Sequence, residues 1–215
     1  MELKRTANAG ILLSLDGVRI LLDGVCEQLP PYLGTQPGER ESLLQDVPDL
    51  VAFTHVHPDH CDLSFVSDYL QKTAGPIMGP ADIPFTSSTE QTVGTVKVTP
   101  VPSRHLGKAN DVQHVSYMIE GSHCVWFMGD AAPSQLKQMK TLPHPDVLIA
   151  PFGFAIGSGW NAACDLSPQV FVLVHMPEKT DDPANLWHQV EQTVSGKPGP
   201  AVYIPELGQN IHFTA

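Results

Sequence analysis

Between residues 55 and 60 the chain reads His55-Val56-His57-Pro58-Asp59-His60, which places three imidazoles and one carboxylate within six consecutive positions. Groups crowded this closely are most useful around a cation, so the segment belongs in a loop that can turn all four side chains toward one point. The short apolar run Asp49 to Phe53 supplies a buried strand that ends at this loop. A helix over Leu63 to Lys72 follows, with Asp62 as its N-cap and Gly75-Pro76 as its stop. Imidazole and carboxylate suit zinc first, and also Fe, Mn or Ni, whereas the lack of clustered thiols argues against copper(I) or an iron–sulfur cluster. One short motif cannot fill two coordination spheres, so further ligands must come from distant positions.

Composition supports a cation site and restricts the partners. Ten histidines stand beside only 12 Lys and Arg, and the formal net charge is −11. No cluster of Lys and Arg offsets that acidity, so no nucleic acid and no anionic membrane surface is expected as a partner, and a small-molecule substrate is. Cys26, Cys61, Cys124 and Cys164 are far apart with no CxxC, which reads as single thiols in a reducing compartment. Cys61 merits inspection because it directly follows the histidine motif. No apolar run approaches the roughly 20 residues of a spanning helix. Near the N-terminus, Ser14 and Asp16 interrupt the apolar residues too early for a signal peptide, so a cytoplasmic protein is expected. With no internal repeat and no linker, residues 1–215 are read as a single domain; the oligomeric state is left open.

Strand signals open the chain and recur in both halves. Ile11 to Leu15 and Val18 to Leu22 flank the hairpin dipeptide Asp16-Gly17. Further strands are expected at Ile77 to Met78, Val96 to Val101, His114 to Ile119, Cys124 to Met128, Val147 to Ala150, Val170 to Val174 and Val202 to Ile204. Helices are expected at Glu39 to Gln45, Pro133 to Lys140, Asn161 to Leu166 and Pro183 to Val194. The alternation predicts an α/β protein with two mixed sheets sandwiched between helices. Gly24 to Pro48, rich in turn formers, reads as either disordered or a functional loop.

Three further residues with ligand chemistry each sit just after a strand: His105, Asp130 in Gly129-Asp130, and His175. The order His-x-His-x-Asp-His, His105, Gly129-Asp130 and His175 resembles the metallo-β-lactamase fold superfamily of metal-dependent hydrolases, over most of the chain. Spacings of 45, 25 and 45 residues separate His60, His105, Asp130 and His175. Leu21-Leu22-Asp23-Gly24 is similar to the family's first motif. The resemblance implies an αββα sandwich and two divalent metal ions per chain. His55, His57 and His105 would bind the first ion, Asp59, His60 and His175 the second, and Asp130 would bridge them. It also implies hydrolysis of a small ester, lactone, thioester or phosphoester by a metal-bridging hydroxide, with Asp59 catalytic as orienter or proton acceptor. Asp23 is a candidate outer acceptor that fixes His105 or another of the imidazoles, or merely part of a turn.

The small size and the segments Trp126-Phe127-Met128-Gly129-Asp130 and Ile149-Ala150-Pro151-Phe152-Gly153 look more like the family's broad group of small, mostly uncharacterised hydrolases, which also contains ascorbate-phosphate-type lactonases. A ribonuclease Z-like phosphodiesterase shares the ligands but not the acidity, and a di-iron redox protein could use the same set with an external reductase. Elsewhere, His212 is a candidate for a supporting or substrate role. Pro30, Pro31, Tyr32, Phe152, Phe154 and Trp160 could wall an apolar pocket or pack a core. Gly157-Ser158-Gly159 reads as a flexible turn. His114, His123, His144 and His188 read as surface or satisfied core residues.

Overall fold

Asp16 (φ 51°) and Gly17 (φ 82°) turn the chain between strands β2 (Ile11–Leu15) and β3 (Val18–Leu22), both in the left-handed region that a tight two-residue hairpin needs. The Asp16 carboxylate accepts hydrogen bonds of 2.6 Å from both the backbone N–H and the hydroxyl of Ser122. The first hairpin is thereby pinned to the second half of the chain. The computed structural model describes residues 1–107, 112–195 and 198–213.

Strands β2 and β3 belong to a sheet completed by β1 (Glu2–Arg5), β4 (Leu50–Ala52), β5 (Ile77–Met78) and β13 (Asn210–His212), in the order β13-β1-β2-β3-β4-β5. Its first three pairings are antiparallel and its last two parallel. The second sheet runs β12 (Ala201–Tyr203), β11 (Val170–Val174), β10 (Val147–Pro151), β9 (Cys124–Phe127), β8 (His114–Glu120), β7 (Val96–Ser103) and β6 (Gln91–Val93). It too is mixed, antiparallel from β6 to β9 and parallel from β9 to β12.

Alternation along the strands divides the apolar residues into layers. Leu13, Ile20, Leu22 and Leu50 meet Val98, Tyr117, Phe127, Ile149 and Val172 in the core between the sheets. On the outer face of the first sheet, Val51, Phe53 and Ile77 pack against Leu43 of α1 (Pro37–Gln45) and Phe65, Val66 and Tyr69 of α2 (Leu63–Lys72). On the outer face of the second, Trp126, Leu148 and Phe171 pack against α3 (Leu136–Met139), α4 (Gly157–Cys164) and α5 (Leu186–Val194). This is the expected αββα sandwich. No helix among the described residues is long and apolar enough to cross a membrane.

Several local expectations are corrected. Strands β1, β6 and β13 were not anticipated; each is short and polar, β1 and β6 form by pairing with the stronger β2 and β7, and β13 pairs with the edge that β1 then offers. Gly157-Ser158-Gly159 is the first turn of α4, where a Cβ on Gly159 would collide with the carbonyl of Gly153. Helix α5 begins at Leu186 because the Asp182 carboxylate accepts from the N–H groups of Leu186 and Trp187, both at 2.9 Å. Asp62 caps α2 as expected, accepting from Ser64 N–H at 2.7 Å. The Gly24 to Pro48 segment is a built loop: Cys26 and Thr35 are tied by mutual bonds of 3.1 Å, and Glu27 N–H donates to Pro58 O at 2.8 Å. That last bond lays the loop directly over the histidine motif.

Candidate metal centre

Parallel strands bring their C-terminal ends to one edge, which is why ligands scattered through the sequence can meet. Asp23 follows β3, the motif follows β4, His105 follows β7, Asp130 follows β9 and His175 follows β11. Strand β7 points the same way as β9 because both are antiparallel to β8.

At this edge the ligand atoms of His55, His57 and His105 lie within 4.8 Å of one another, as do those of Asp59, His60 and His175. Asp130 sits between the two nests: Oδ1 is 3.4 Å from His60 Nε2, and Oδ2 is 3.7 Å from His105 Nε2 and 3.5 Å from His175 Nε2. Asp59 Oδ2 approaches His175 Nε2 at 3.3 Å and His60 Nε2 at 3.8 Å. The seven residues expected as ligands are thus brought together as two adjoining triads with a carboxylate between them.

The donor set fits metal ions on a specific observation. His60 Nε2, His105 Nε2, His175 Nε2 and Asp130 Oδ1 are buried polar atoms without a hydrogen-bond partner among the described residues. Orphaned atoms of this kind are expensive in a protein interior. Four of them converging from separate strands need a shared occupant, and divalent cations satisfy nitrogen and carboxylate lone pairs together.

The supporting shell is equally specific. Asp23 is wholly buried; its Oδ1 accepts from Thr54 N–H at 2.7 Å, and its Oδ2 accepts from Thr54 Oγ1 at 2.6 Å and pairs with His60 Nδ1 at 2.8 Å. A third cluster, Asp23 with His55 and His60, also has its polar atoms within 4.8 Å. Both Asp23 oxygens are already engaged, so the residue orients His60 and holds the start of the motif. His105 has a different outer partner, its own loop: Nδ1 lies 2.6 Å from Leu106 O. Asp23 (φ 44°) and His175 (φ 56°) both occupy the left-handed region, unusual for residues with side chains. Gly129 (φ 51°) lets the β9 loop close on Thr54, since a Cβ there would lie 2.5 Å from Thr54 Oγ1.

Burial and charge set the protonation of this cluster. Burial drives His55 well below the usual imidazole range and lowers His57, where His105 adds to the effect. Burial also opposes charge on His60, but the carboxylates of Asp130 and Asp23 outweigh it and hold that ring well above its ordinary value. Burial disfavours the charged forms of Asp130 and Asp59 as well, yet the histidines prevail and both are held low, Asp130 especially. Ionised Asp59 and Asp130 beside unprotonated His55 and His57 are the forms a cation requires, and His60 would give up its proton to a bound ion.

Two site residues escaped sequence reasoning. Asn8, in the turn between β1 and β2, donates from Nδ2 to Asp59 Oδ2 at 3.2 Å, and its carbonyl accepts from His175 N–H at 3.2 Å. A lone Asn carries no ligand signal in a sequence. His114 accepts from Asp130 N–H at 3.1 Å and pairs through Nδ1 with Ser103 Oγ at 2.7 Å, so it is a satisfied core histidine that also positions Asp130.

The other candidates separate cleanly. Tyr32 packs edge-on against His175 with ring centroids 4.3 Å apart, and Phe152 lies 6.2 Å away on the same imidazole. Phe154 and Trp160 belong to the core, Trp160 stacked on Phe171. Cys61 is buried and its thiol is pushed up to about 12 by burial, and it belongs to none of the three metal-competent groups found among the described residues. His212 lies on the edge strand β13, exposed and 3.9 Å from Glu2, away from the cluster.

Residues 2–172 match the family described as the beta-lactamase superfamily domain. A UPF0173 metal-dependent hydrolase from Methanopyrus kandleri is 24% identical over 89% of this chain and 92% of its own. An isothiocyanate hydrolase from Delia radicum gut bacteria superposes with a TM-score of 0.69 at 16% identity, over 100% of both chains. A diiron β-hydroxylase from Streptomyces venezuelae gives 0.66 at 15% identity, over 99% of this chain but 54% of the hydroxylase. The last two are likenesses of fold.

Proposed function

The chain belongs to the beta-lactamase superfamily domain family and is a metal-dependent hydrolase of the metallo-β-lactamase superfamily, and from that premise we propose a dinuclear enzyme that cleaves a small ester, lactone, thioester or phosphoester. The observation that carries this reading is the convergence of the orphaned His60, His105, His175 and Asp130 atoms between two triads. His55, His57 and His105 would hold one ion, Asp59, His60 and His175 the other, and Asp130 would span both. Zinc is the metal first proposed. Bound there, such ions supply Lewis acidity and lower the pKa of water toward 7.

The chain's own groups complete the chemistry. Asp59 accepts the proton of the attacking water, and the Asn8 amide at 3.2 Å keeps its Oδ2 aimed at the reacting centre. Asp23 holds His60 in one orientation, and His114 holds the backbone of Asp130. Tyr32 and Phe152 shield His175 from bulk water and shape the substrate entrance. Residues 1–215 are taken as one catalytic domain acting in the cytoplasm on a small molecule.

Zinc-loaded protein should hydrolyse generic esters or lactones, and Asp59→Ala should remove that activity while the fold persists. Correctly loaded protein that is inert across carboxylic esters, lactones, thioesters and phosphoesters would overturn the proposal. A di-iron redox reading has one supporting observation, the fold shared with the diiron hydroxylase. Iron in the purified protein with an oxygen-dependent spectral change would favour it. A ribonuclease Z-like activity is opposed by the net charge of −11.

A further inference from the structure

Arg5, at the end of β1, is 5% exposed and has no carboxylate partner among the described residues. Its Nε donates to Ala7 O and its Nη1 to Pro205 O, each at 3.0 Å. Among the described residues Nη2 has no hydrogen-bond partner, and Nη1 has one acceptor for its two N–H groups. Two backbone carbonyls therefore fix the plane of the guanidinium and leave its outer end bare. With Nη2 open to solvent and no carboxylate beside it, the guanidinium can take up an anion.

Arg5 lines a cavity of about 290 Å³ together with Pro205, whose carbonyl its Nη1 engages. Leu33, Met176, Pro177 and Trp187 supply apolar wall, and the Lys179 ammonium lies 4.6 Å from the centre of the Trp187 ring, which lines the cavity with it. Trp187 Nε1 donates to Pro177 O at 2.9 Å, which holds the indole in place. The volume is at the lower end for small-molecule pockets, roughly 300–1,000 Å³. The cavity adjoins the metal centre through the chain, since Met176 directly follows His175 and Leu33 follows Tyr32, whose ring packs on that histidine.

We infer that this cavity is a binding site for a small organic monocarboxylate, its carboxylate bridging Nη1 and Nη2 of Arg5 and its apolar body lying on Trp187 and Met176. A guanidinium with two adjacent free N–H groups matches a carboxylate in both spacing and plane. A dianionic phosphate fits less well: Glu178 and Glu206 also line the cavity, and Arg5 is the buried cation available to it. The inference goes beyond the hydrolase reading and does not depend on it, because binding here needs neither metal nor turnover.

Benzoate is the probe, titrated by calorimetry and by Trp fluorescence into zinc-loaded and metal-stripped protein. Saturable one-to-one binding is expected in both forms, with benzamide at least about tenfold weaker because it lacks the charge. Arg5→Lys keeps the charge but not the fork and should weaken benzoate about tenfold or more. Leu33→Trp fills the cavity while leaving Arg5 and its two carbonyl partners intact, and should weaken benzoate to a similar degree. Circular dichroism checks that both variants fold. The inference is overturned if benzoate fails to bind, if benzamide binds equally, if Leu33→Trp and Arg5→Lys bind benzoate unchanged, or if binding vanishes with the metal. In that last case the carboxylate sits on the metal ions instead.

Discussion

Asp23 Oδ2 and His60 Nδ1 are 2.8 Å apart, and both side chains are wholly buried. The carboxylate fixes the imidazole so that Nε2, the opposite nitrogen, faces Asp130 and Asp59. One hydrogen bond therefore holds a freely rotating ring in one orientation, and the same carboxylate ties down Thr54 at the root of the motif.

Asp23→Asn should weaken zinc binding by about 10- to 100-fold, the usual effect of losing an outer partner of a ligating histidine. An amide cannot accept from Thr54 and His60 on both of its heavy atoms, so a stability loss of about 1–3 kcal/mol is also expected. Competition with a chromogenic chelator and a urea melt measure the two effects. Unchanged affinity would mean that His60 is positioned by other contacts.

Metal removal should lower the melting temperature of the wild-type protein. Ions bind the folded triads and not the unfolded chain, so zinc at 100 times its Kd contributes about 2.7 kcal/mol. Calorimetry of stripped protein should show two equivalents per chain. Replacing His105 with Ala should leave about one, because only the triad of His55, His57 and His105 loses a member.

Gly129→Ala should destabilise the fold by about 1–3 kcal/mol, because the new methyl would stand 2.5 Å from Thr54 in a left-handed backbone. The strain falls on the loop that carries Asp130. Metal affinity should therefore decline together with the melting temperature, whereas Gly38→Ala, whose Cβ meets open space in the ordinary helical backbone of α1, should spare the metal affinity.

Burial lowers His114 from an ordinary imidazole value to about 3. The unfolded chain therefore takes up the proton first as pH falls. The stabilisation from keeping this ring neutral is complete above about 6.5 and is lost progressively down to about 3. Denaturation of metal-stripped wild type and of His114→Gln across this window should show a shallower pH dependence in the variant. Equal slopes would show that His114 takes no part in the acid sensitivity.

Much of the sandwich was legible because its strands are apolar and its hairpin is closed by Asp16-Gly17. Strands β1, β6 and β13 were not, since short polar segments become strands only beside a partner that can pair with them. The first turn of α4 was misread for a related reason: Gly157 and Gly159 disfavour a helix locally, and the close approach of Gly159 to Gly153 selects glycine there.

The residues with ligand chemistry stand out in the chain alone. Imidazole and carboxylate carry their coordination chemistry in the side chain, and their placement after apolar strands announces itself in the order of residues. Tertiary structure decided everything that depends on convergence. It joined Asn8 to Asp59 and His114 to Asp130, assigned Asp23 to His60 and not His105, and set Arg5 in the wall of a cavity. Asparagine, core histidine and arginine are common residues whose roles are set by the neighbours that the folded strands bring within 3 to 4 Å, a distance on the scale of hydrogen bonds and ion pairs.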